Sequence, residues 1–459
     1  MNQPNPSALE NLDDVFSFFE SRTNLEKGLP PGNPNRVYRL DRMNALCAAL
    51  GHPQEDFRTI HIAGSKGKGS TAAYIAALLA GTGRRVGIYS SPHLADYRER
   101  FRLQGHPFPE DAAYSTACRM IGNLAEAEEG LPGDGGATTF ELLTLFAFLF
   151  FREIGCDTVV LETGLGGRLD ATNVVTQPEA VVFTPIEKEH TEVLGNRIRD
   201  IAAEKAGIFK PGSRAWSARQ KKSAAKVFRR AAAEQGGPLM ELADELSEIR
   251  AADADGAHET WRLDWRDGRT DEISLAMGVR IQAENAALAL MVTRALEPGL
   301  PDKAALAALS KVRLPGRFHR ISDEPLVIID GAHTPRSVAA VAESFIKAAA
   351  PATTSILVFG SALGKDHRGM AGKLCGGRNP FFREVIISTP GTFKPSDPGG
   401  VAEEFRRIGA QVSLIPDPAK AWETALIRSA GKRPILVTGS FYMAGEIARI
   451  IDRTNRGEK

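Results

Sequence analysis

Residues 64–71 read Gly-Ser-Lys-Gly-Lys-Gly-Ser-Thr. Glycines at Gly64, Gly67 and Gly69 let the backbone curl so that successive N–H groups converge on one anion. Lys68 supplies a cation that can reach β- and γ-phosphates, and Ser70 or Thr71 can contact phosphate or its metal. The general phosphate-loop spacing GxxxxGK[ST] is not met, because Ile62 stands at its first glycine and Gly69 follows the lysine. The context nevertheless favours an anion cradle over an ordinary turn. A β-rich run, RTIHIAG, precedes the loop, and the apolar spacing of STAAYIAALLAG makes it open a helix whose N-terminus adds partial positive charge.

Elements that would hold such a loop recur along the chain. Residues 84–93 read as a second strand, giving strand, loop, helix, strand and hence a parallel sheet. A helix over 138–155, a strand running into a glycine-rich loop over 156–167, a strand at 179–186 and a short helix at 199–209 continue the pattern. Residues 223–237 read as a helix, 259–277 as a hairpin about Asp267-Gly268, and 282–296 and 300–312 as helices. From Arg317 the alternation restarts, with strands at 325–333, 354–366, 383–390, 412–416 and 433–438 separated by helices. The expectation is an α/β protein in two parts. Residues 1–313 form an ATP-binding, P-loop ATPase-like domain with a mostly parallel sheet, and 317–459 form a Rossmann-like α/β domain, divided at Leu314-Pro315-Gly316-Arg317.

Composition narrows the partners. With 459 residues, two or three domains are expected. Lys+Arg number 57 against 56 Asp+Glu, so no global charge draws the chain to nucleic acid or to a membrane surface. Cys47, Cys118, Cys156 and Cys375 form no CxxC pair, which argues against a zinc site or disulfide framework and for a reducing cytoplasm. The polar, acidic N-terminal segment is no signal peptide. The longest apolar run, 142–151, is too short to span a bilayer and reads as a buried helix.

The loop also carries a resemblance. HIAGSKGKGS is similar to the HVAGTNGKGS signature of folylpolyglutamate synthases and dihydrofolate synthases, members of the Mur ligase superfamily. Further matches follow in the family's order: SSPHL at 90–94, ERF at 99–101, TTFELLT at 138–144, LETGLGGRLDATN at 161–173, HTEVLG at 190–195 and EKAGIFKPG at 204–212. Then come QAENAA at 282–287, LPGR at 314–317, DGAHTP at 330–335, LVFGSALGKD at 357–366 and VTGSFYMAGE at 437–446. The resemblance implies ATP-dependent ligation of L-glutamate to a pterin carboxylate, dihydropteroate or a tetrahydrofolate, through an acyl phosphate. It implies Mg²⁺, two ions, held by Ser91 and Glu162 with His190 on the second, although imidazole is an unusual magnesium ligand. It further implies that Lys205 is carbamylated, that Asn285 and Arg317 contact the nucleotide, that Asp330 binds its ribose, and that His333 lies near the phosphates or the incoming amine. Thr138, Phe140 and Glu141, with Leu169, Asp170 and Ala171, match part of the pterin-side pocket, and the family leans to monomers.

Several positions depart from the family pattern, among them PGRFH at 315–319, which replaces PGRLE. Ser65-Lys66 replaces Thr-Asn, adding a charge beside the phosphates; Glu189 stands where aspartate is usual; Thr334 replaces asparagine. None removes a proposed metal ligand or the phosphate lysine. Two other readings stay open: a Mur-type amide ligase for a different carboxylate, and a non-catalytic NTP-binding protein.

Overall fold

A computed structural model describes residues 9–26, 39–133, 135–252, 259–377, 381–392 and 394–456. Short apolar runs buried on both faces form its first sheet, as expected where helices cover a parallel sheet on each side. The strands are β1 (Arg58–Ala63), β2 (Val86–Tyr89), β3 (Phe101–Leu103), β4 (Thr158–Glu162), β5 (Ala180–Phe183), β6 (Ala215–Ser217) and β7 (Leu239–Glu241). They lie in the order β3-β2-β4-β1-β5-β6-β7. All neighbours are parallel except the edge pair β2 and β3.

One face of this sheet carries the helix Lys68–Ala80, packed against the helix Arg280–Leu296. Alanines on both, among them Ala72, Ala76, Ala283 and Ala287, are fully buried, so the two backbones approach closely. On the other face lies Thr139–Glu153, whose Phe146, Phe148, Phe150 and Phe151 are buried with the helices Leu12–Glu20, Leu40–Ala49 and Glu110–Gly122. This is the apolar run read as a buried helix. Among the described residues no helix is long and apolar enough to cross a membrane.

Beside the first sheet, β8 (Leu246–Ala251) joins the expected hairpin of β9 (Glu259–Trp265) and β10 (Thr270–Leu275) to make three antiparallel strands. A second large sheet follows from β11 (His319–Asp323), β12 (Leu326–Ile329), β13 (Ser355–Phe359), β14 (Phe382–Ile387), β15 (Gln411–Leu414) and β16 (Ile435–Thr438). Its order is β11-β12-β16-β13-β14-β15, parallel but for the edge pair β11 and β12. The chain therefore builds two doubly wound lobes, each with one reversed edge strand.

The lobes touch along the loop after β2. Leu94 packs beneath the helix Phe441–Arg456, where a Cβ on Gly445 would lie 2.1 Å from the Leu94 carbonyl oxygen. Elsewhere Lys394 Nζ donates to the Glu26 carbonyl at 2.7 Å.

Candidate active site

Parallel strands end side by side, so residues just past β1, β2 and β4 share one rim. Register pairs Ile62 with Glu162 and Tyr89 with Leu161, which brings the phosphate loop, Ser91 and Glu162 together. The loop needs its glycines for space. A Cβ on Gly64 would sit 1.8 Å from Thr184 Oγ1. Gly67 has φ +86° and faces Asn285, whose Oδ1 lies 2.5 Å from where a Cβ would be. Lys68 Nζ donates to the Gly64 carbonyl at 3.1 Å and stands 3.7 Å from Glu162 Oε1. Ser70 and Thr71 are buried in the helix's first turn, and Thr71 Oγ1 has no hydrogen-bond partner.

Glu162 is buried, and burial pushes its carboxyl above the usual range against the pull of Lys68, Arg317 and the Ser91 N–H. Desolvation therefore exceeds attraction at this carboxyl. Carboxylate and hydroxyl oxygens are hard donors, so Glu162 and Ser91 fit magnesium, with phosphate oxygens and water completing its shell. Among the described residues no three His, Cys, Asp or Glu side chains converge in a metal-holding group. His190 caps the short helix Thr191–Leu194 at φ +45°, with its side chain half exposed and Glu192 3.9 Å from Nδ1.

The second lobe faces this rim. Arg317 lies over the Phe441 ring at 4.8 Å, and its charge acts on Glu162, Asp330 and His333. Asp330, just past β12, is buried and accepts the N–H groups of Phe318 at 2.7 Å and Ala332 at 2.8 Å. Both its oxygens thus brace the turn that carries Arg317 and His333. His333 Nδ1 donates to the Gly331 carbonyl at 2.9 Å, and Nε2 receives Lys66 Nζ at 2.8 Å. Thr334 caps the helix Pro335–Ala348 by accepting from the Ser337 N–H at 3.2 Å. Asn285, on the helix Arg280–Leu296, donates to Gln282 at 3.1 Å.

Behind the loop, Lys205 is buried, donates to the Gly64 carbonyl at 2.9 Å and lies 3.0 Å from Glu189 Oε1. Burial pushes its amine down to about 8, with Glu189 opposing the shift.

Comparison with known proteins fits this arrangement. Residues 112–293 match the Mur ligase middle domain and 316–441 the Mur ligase glutamate ligase domain. The chain is 34% identical over 369 residues to a dihydrofolate synthase/folylpolyglutamate synthase of Bacillus subtilis, covering 79% of this chain and 82% of that one. It is 31% identical over 422 residues to the enzyme of the same description from Escherichia coli, covering 92% and 93%. The chain belongs to the folylpolyglutamate synthase/dihydrofolate synthase family. Solved structures agree: E. coli FolC in complex with DHPP and ADP has a TM-score of 0.80 at 28% identity, covering 98% of this chain and 100% of that one. Mycobacterium tuberculosis folylpolyglutamate synthase complexed with ADP gives 0.82 at 28% identity, covering 98% and 99%. Membership makes the chain an ATP-dependent ligase with the Mur ligase fold.

Within this family member, the residues matched to the pterin side divide by the work they already do. Thr138 and Glu141 form a capping box at the start of Thr139–Glu153, and buried Glu141 also pairs with Arg42 at 3.1 Å. Asp170 accepts the Leu165 N–H at 2.7 Å and the Thr172 hydroxyl at 2.6 Å. Ala171 is buried at the margin of the phenylalanine-rich core. Phe140 and Leu169 are half-buried, and Phe140 lies against Gly164, where a Cβ would be 2.4 Å from its ring. These two keep side-chain surface free for a ligand.

Sequence reasoning missed three contacts. In the sequence Lys66 reads only as added charge, and its reach to His333 depends on how the lobes meet. Glu189 reads as a replacement for aspartate, and only the fold makes it the partner of Lys205. Arg100, inside the ERF motif, is fully buried, pairs with Glu26 at 2.7 Å and donates Nε–H to His93 Nδ1 at 2.9 Å. The signal for Arg100 was its place in the motif, but Glu26 lies far off in sequence.

Proposed function

We propose that the chain joins L-glutamate to the carboxylate of a pterin-bearing acceptor, dihydropteroate or a tetrahydrofolate, while ATP becomes ADP and phosphate. One observation carries this reading: Lys68 and Glu162, 3.7 Å apart at the strand ends of one lobe, lie within the field of Arg317 from the other. A cation pair around a buried acid suits a polyphosphate and its metal. The complex of E. coli FolC with DHPP and ADP, which matches 98% of this chain, supports the pterin and nucleotide assignment.

The chemistry follows from the leaving group. Hydroxide leaves a carboxylate too poorly for an amine to displace it at neutral pH. The acceptor's carboxylate oxygen attacks the γ-phosphorus, the bond to ADP breaks, and an acyl phosphate forms. Glutamate arrives as an ammonium and loses one proton to water. Its nitrogen pair then attacks the acyl carbon, the carbon–oxygen bond to phosphate breaks, and the remaining excess proton leaves with the phosphate. Lys68 and the loop N–H groups hold the transferring phosphate, and Arg317 adds charge to it when the lobes meet. Magnesium, which Glu162 and Ser91 would hold, would neutralise phosphate charge when bound. Joined lobes also keep water from the acyl phosphate.

As an amine Lys205 faces two acceptors, Gly64 O and Glu189. Its carbamylation, which the family resemblance implies, is proposed for the protein held with carbon dioxide, and no step is routed through it. Carbon-13 NMR of protein equilibrated with labelled bicarbonate checks it: a carbamate signal absent from Lys205→Met supports the modification, and its absence from the native protein rules it out. We further place the domain division at 314–317 and the enzyme as a monomer in the cytoplasm.

The test is direct. Purified protein should release ADP only when L-glutamate and a pterin carboxylate are both present, and the acceptor should gain the mass of one glutamyl residue. Ligation of some other acid, with every pteroate and folate form inert, would rule out the assignment.

A further inference from the structure

The phosphate loop carries a second lysine, and its contact lies outside its own lobe. Ser65 and Lys66 both donate their backbone N–H to the Pro185 carbonyl, at 3.0 and 3.3 Å, and Ser65 Oγ donates to the Glu187 carbonyl at 3.0 Å. The loop is thereby fixed at the point from which the Lys66 side chain leaves. That side chain crosses the cleft, and Nζ stands 2.8 Å from His333 Nε2. The other ring nitrogen, Nδ1, faces the Gly331 carbonyl at 2.9 Å. A carbonyl only accepts, so Nδ1 carries the ring's hydrogen. An ammonium only donates, so Nε2 presents its lone pair. Hydrogen-bond logic alone makes His333 neutral and fixes its tautomer.

The surroundings show what the ammonium is for. Lys68 and Arg317 repel it, while Glu187 and Glu189 attract it. It thus sits at the junction of the charges that flank the phosphate loop. An ammonium has three N–H donors, and His333 uses one. A second bridge runs parallel, with Arg336 of the second lobe 3.5 Å from Glu187.

We propose that Lys66 is a nucleotide-binding residue positioned from the other lobe, giving one N–H to His333 across the cleft and presenting the others to the polyphosphate. The inference rests on the ATP-binding part of the proposed function and deepens it. His333 acts here as a positioning residue, holding the ammonium where the phosphates arrive. Lys66 is the nucleotide-binding residue, and without His333 its long chain is free to leave the site.

A double-mutant cycle tests the coupling, using calorimetric binding of a non-hydrolysable ATP analogue with magnesium and no acceptor or glutamate. Lys66→Met should weaken the analogue by about ten- to a hundredfold, the loss expected of charged hydrogen bonds to phosphate. His333→Gln should weaken it by about three- to tenfold through lost positioning. In the Lys66→Met background, His333→Gln should change the affinity less than about twofold, because nothing is left to position. Lys66→Arg should recover most of the affinity, since it keeps charge and donors. Multiplying effects in the double variant would overturn the inference, as would unchanged binding by Lys66→Met. Thermal melting of each variant separates loss of fold, and Lys66→Arg serves as the second probe should Lys66→Met unfold. Because no acceptor is present, a wrong pterin assignment leaves this result untouched.

Discussion

Replacing Gly67 with alanine isolates the demand that the phosphate loop makes on its backbone. Gly67 sits at φ +86°, a left-handed conformation that costs an L-residue about 1–2 kcal/mol. The new Cβ would also lie 2.5 Å from Asn285 Oδ1 and 3.2 Å from its Cγ and Nδ2. Asn285 is 3% exposed and can yield only by turning away from Gln282. That gives up a hydrogen bond of about 0.5–1.5 kcal/mol. The two losses together come to roughly 2–3 kcal/mol. For a lobe of roughly 300 residues the melting temperature should fall by about 3–5 °C. ADP with magnesium should protect the variant from melting far less than it protects the native protein, since displaced loop N–H groups no longer converge on phosphate. Adding Asn285→Ala should recover the steric part and leave the backbone part. A variant that melts within about a degree of the native protein, with normal ADP protection, would refute the reasoning.

Three further outcomes follow from the charges. Glu162→Gln should leave melting unchanged or slightly raised, because burial already holds this carboxyl above its usual range; ADP release should still drop by about a hundredfold or more. Lys205 lies below its ordinary value, so the folded chain binds fewer protons than the unfolded one between about pH 8 and 10.5 and gains stability as pH rises through that window. Urea unfolding across these pH values should show a shallower rise for Lys205→Met than for the native protein. Arg100→Met leaves Glu26 and His93 without the buried guanidinium that joins them, and urea unfolding should register a loss of about 3 kcal/mol.

Much of this was legible because parallel sheets write themselves as short apolar runs between amphipathic helices. The loop, Glu162 and Asp330 each stand just past such a run, and strand-end placement is a local property. The helices before β1 and the helix Glu110–Gly122 were not read, since their faces make sense only against the phenylalanines of Thr139–Glu153. The edge strands β3 and β11 are three and five residues long and reversed, too short for alternation to announce them. At the site, residue types showed which groups can bind phosphate, but not which groups meet across the cleft. The Lys66–His333 contact joins residues 267 positions apart, and the Arg100–Glu26 pair joins residues 74 apart. Thr138 and Glu141 show the opposite limit: a motif shared with a pocket is also a helix cap, and the structure gives it that work.

The central claim is that a carboxylate is activated by phosphorylation before the amine attacks. Following heavy oxygen tests it most directly: the acceptor's carboxylate is labelled with oxygen-18, one round of ligation is run with ATP and L-glutamate, and the released phosphate is weighed by mass spectrometry. The account predicts one labelled oxygen in the phosphate for each amide formed. Amide formation with unlabelled phosphate would contradict it.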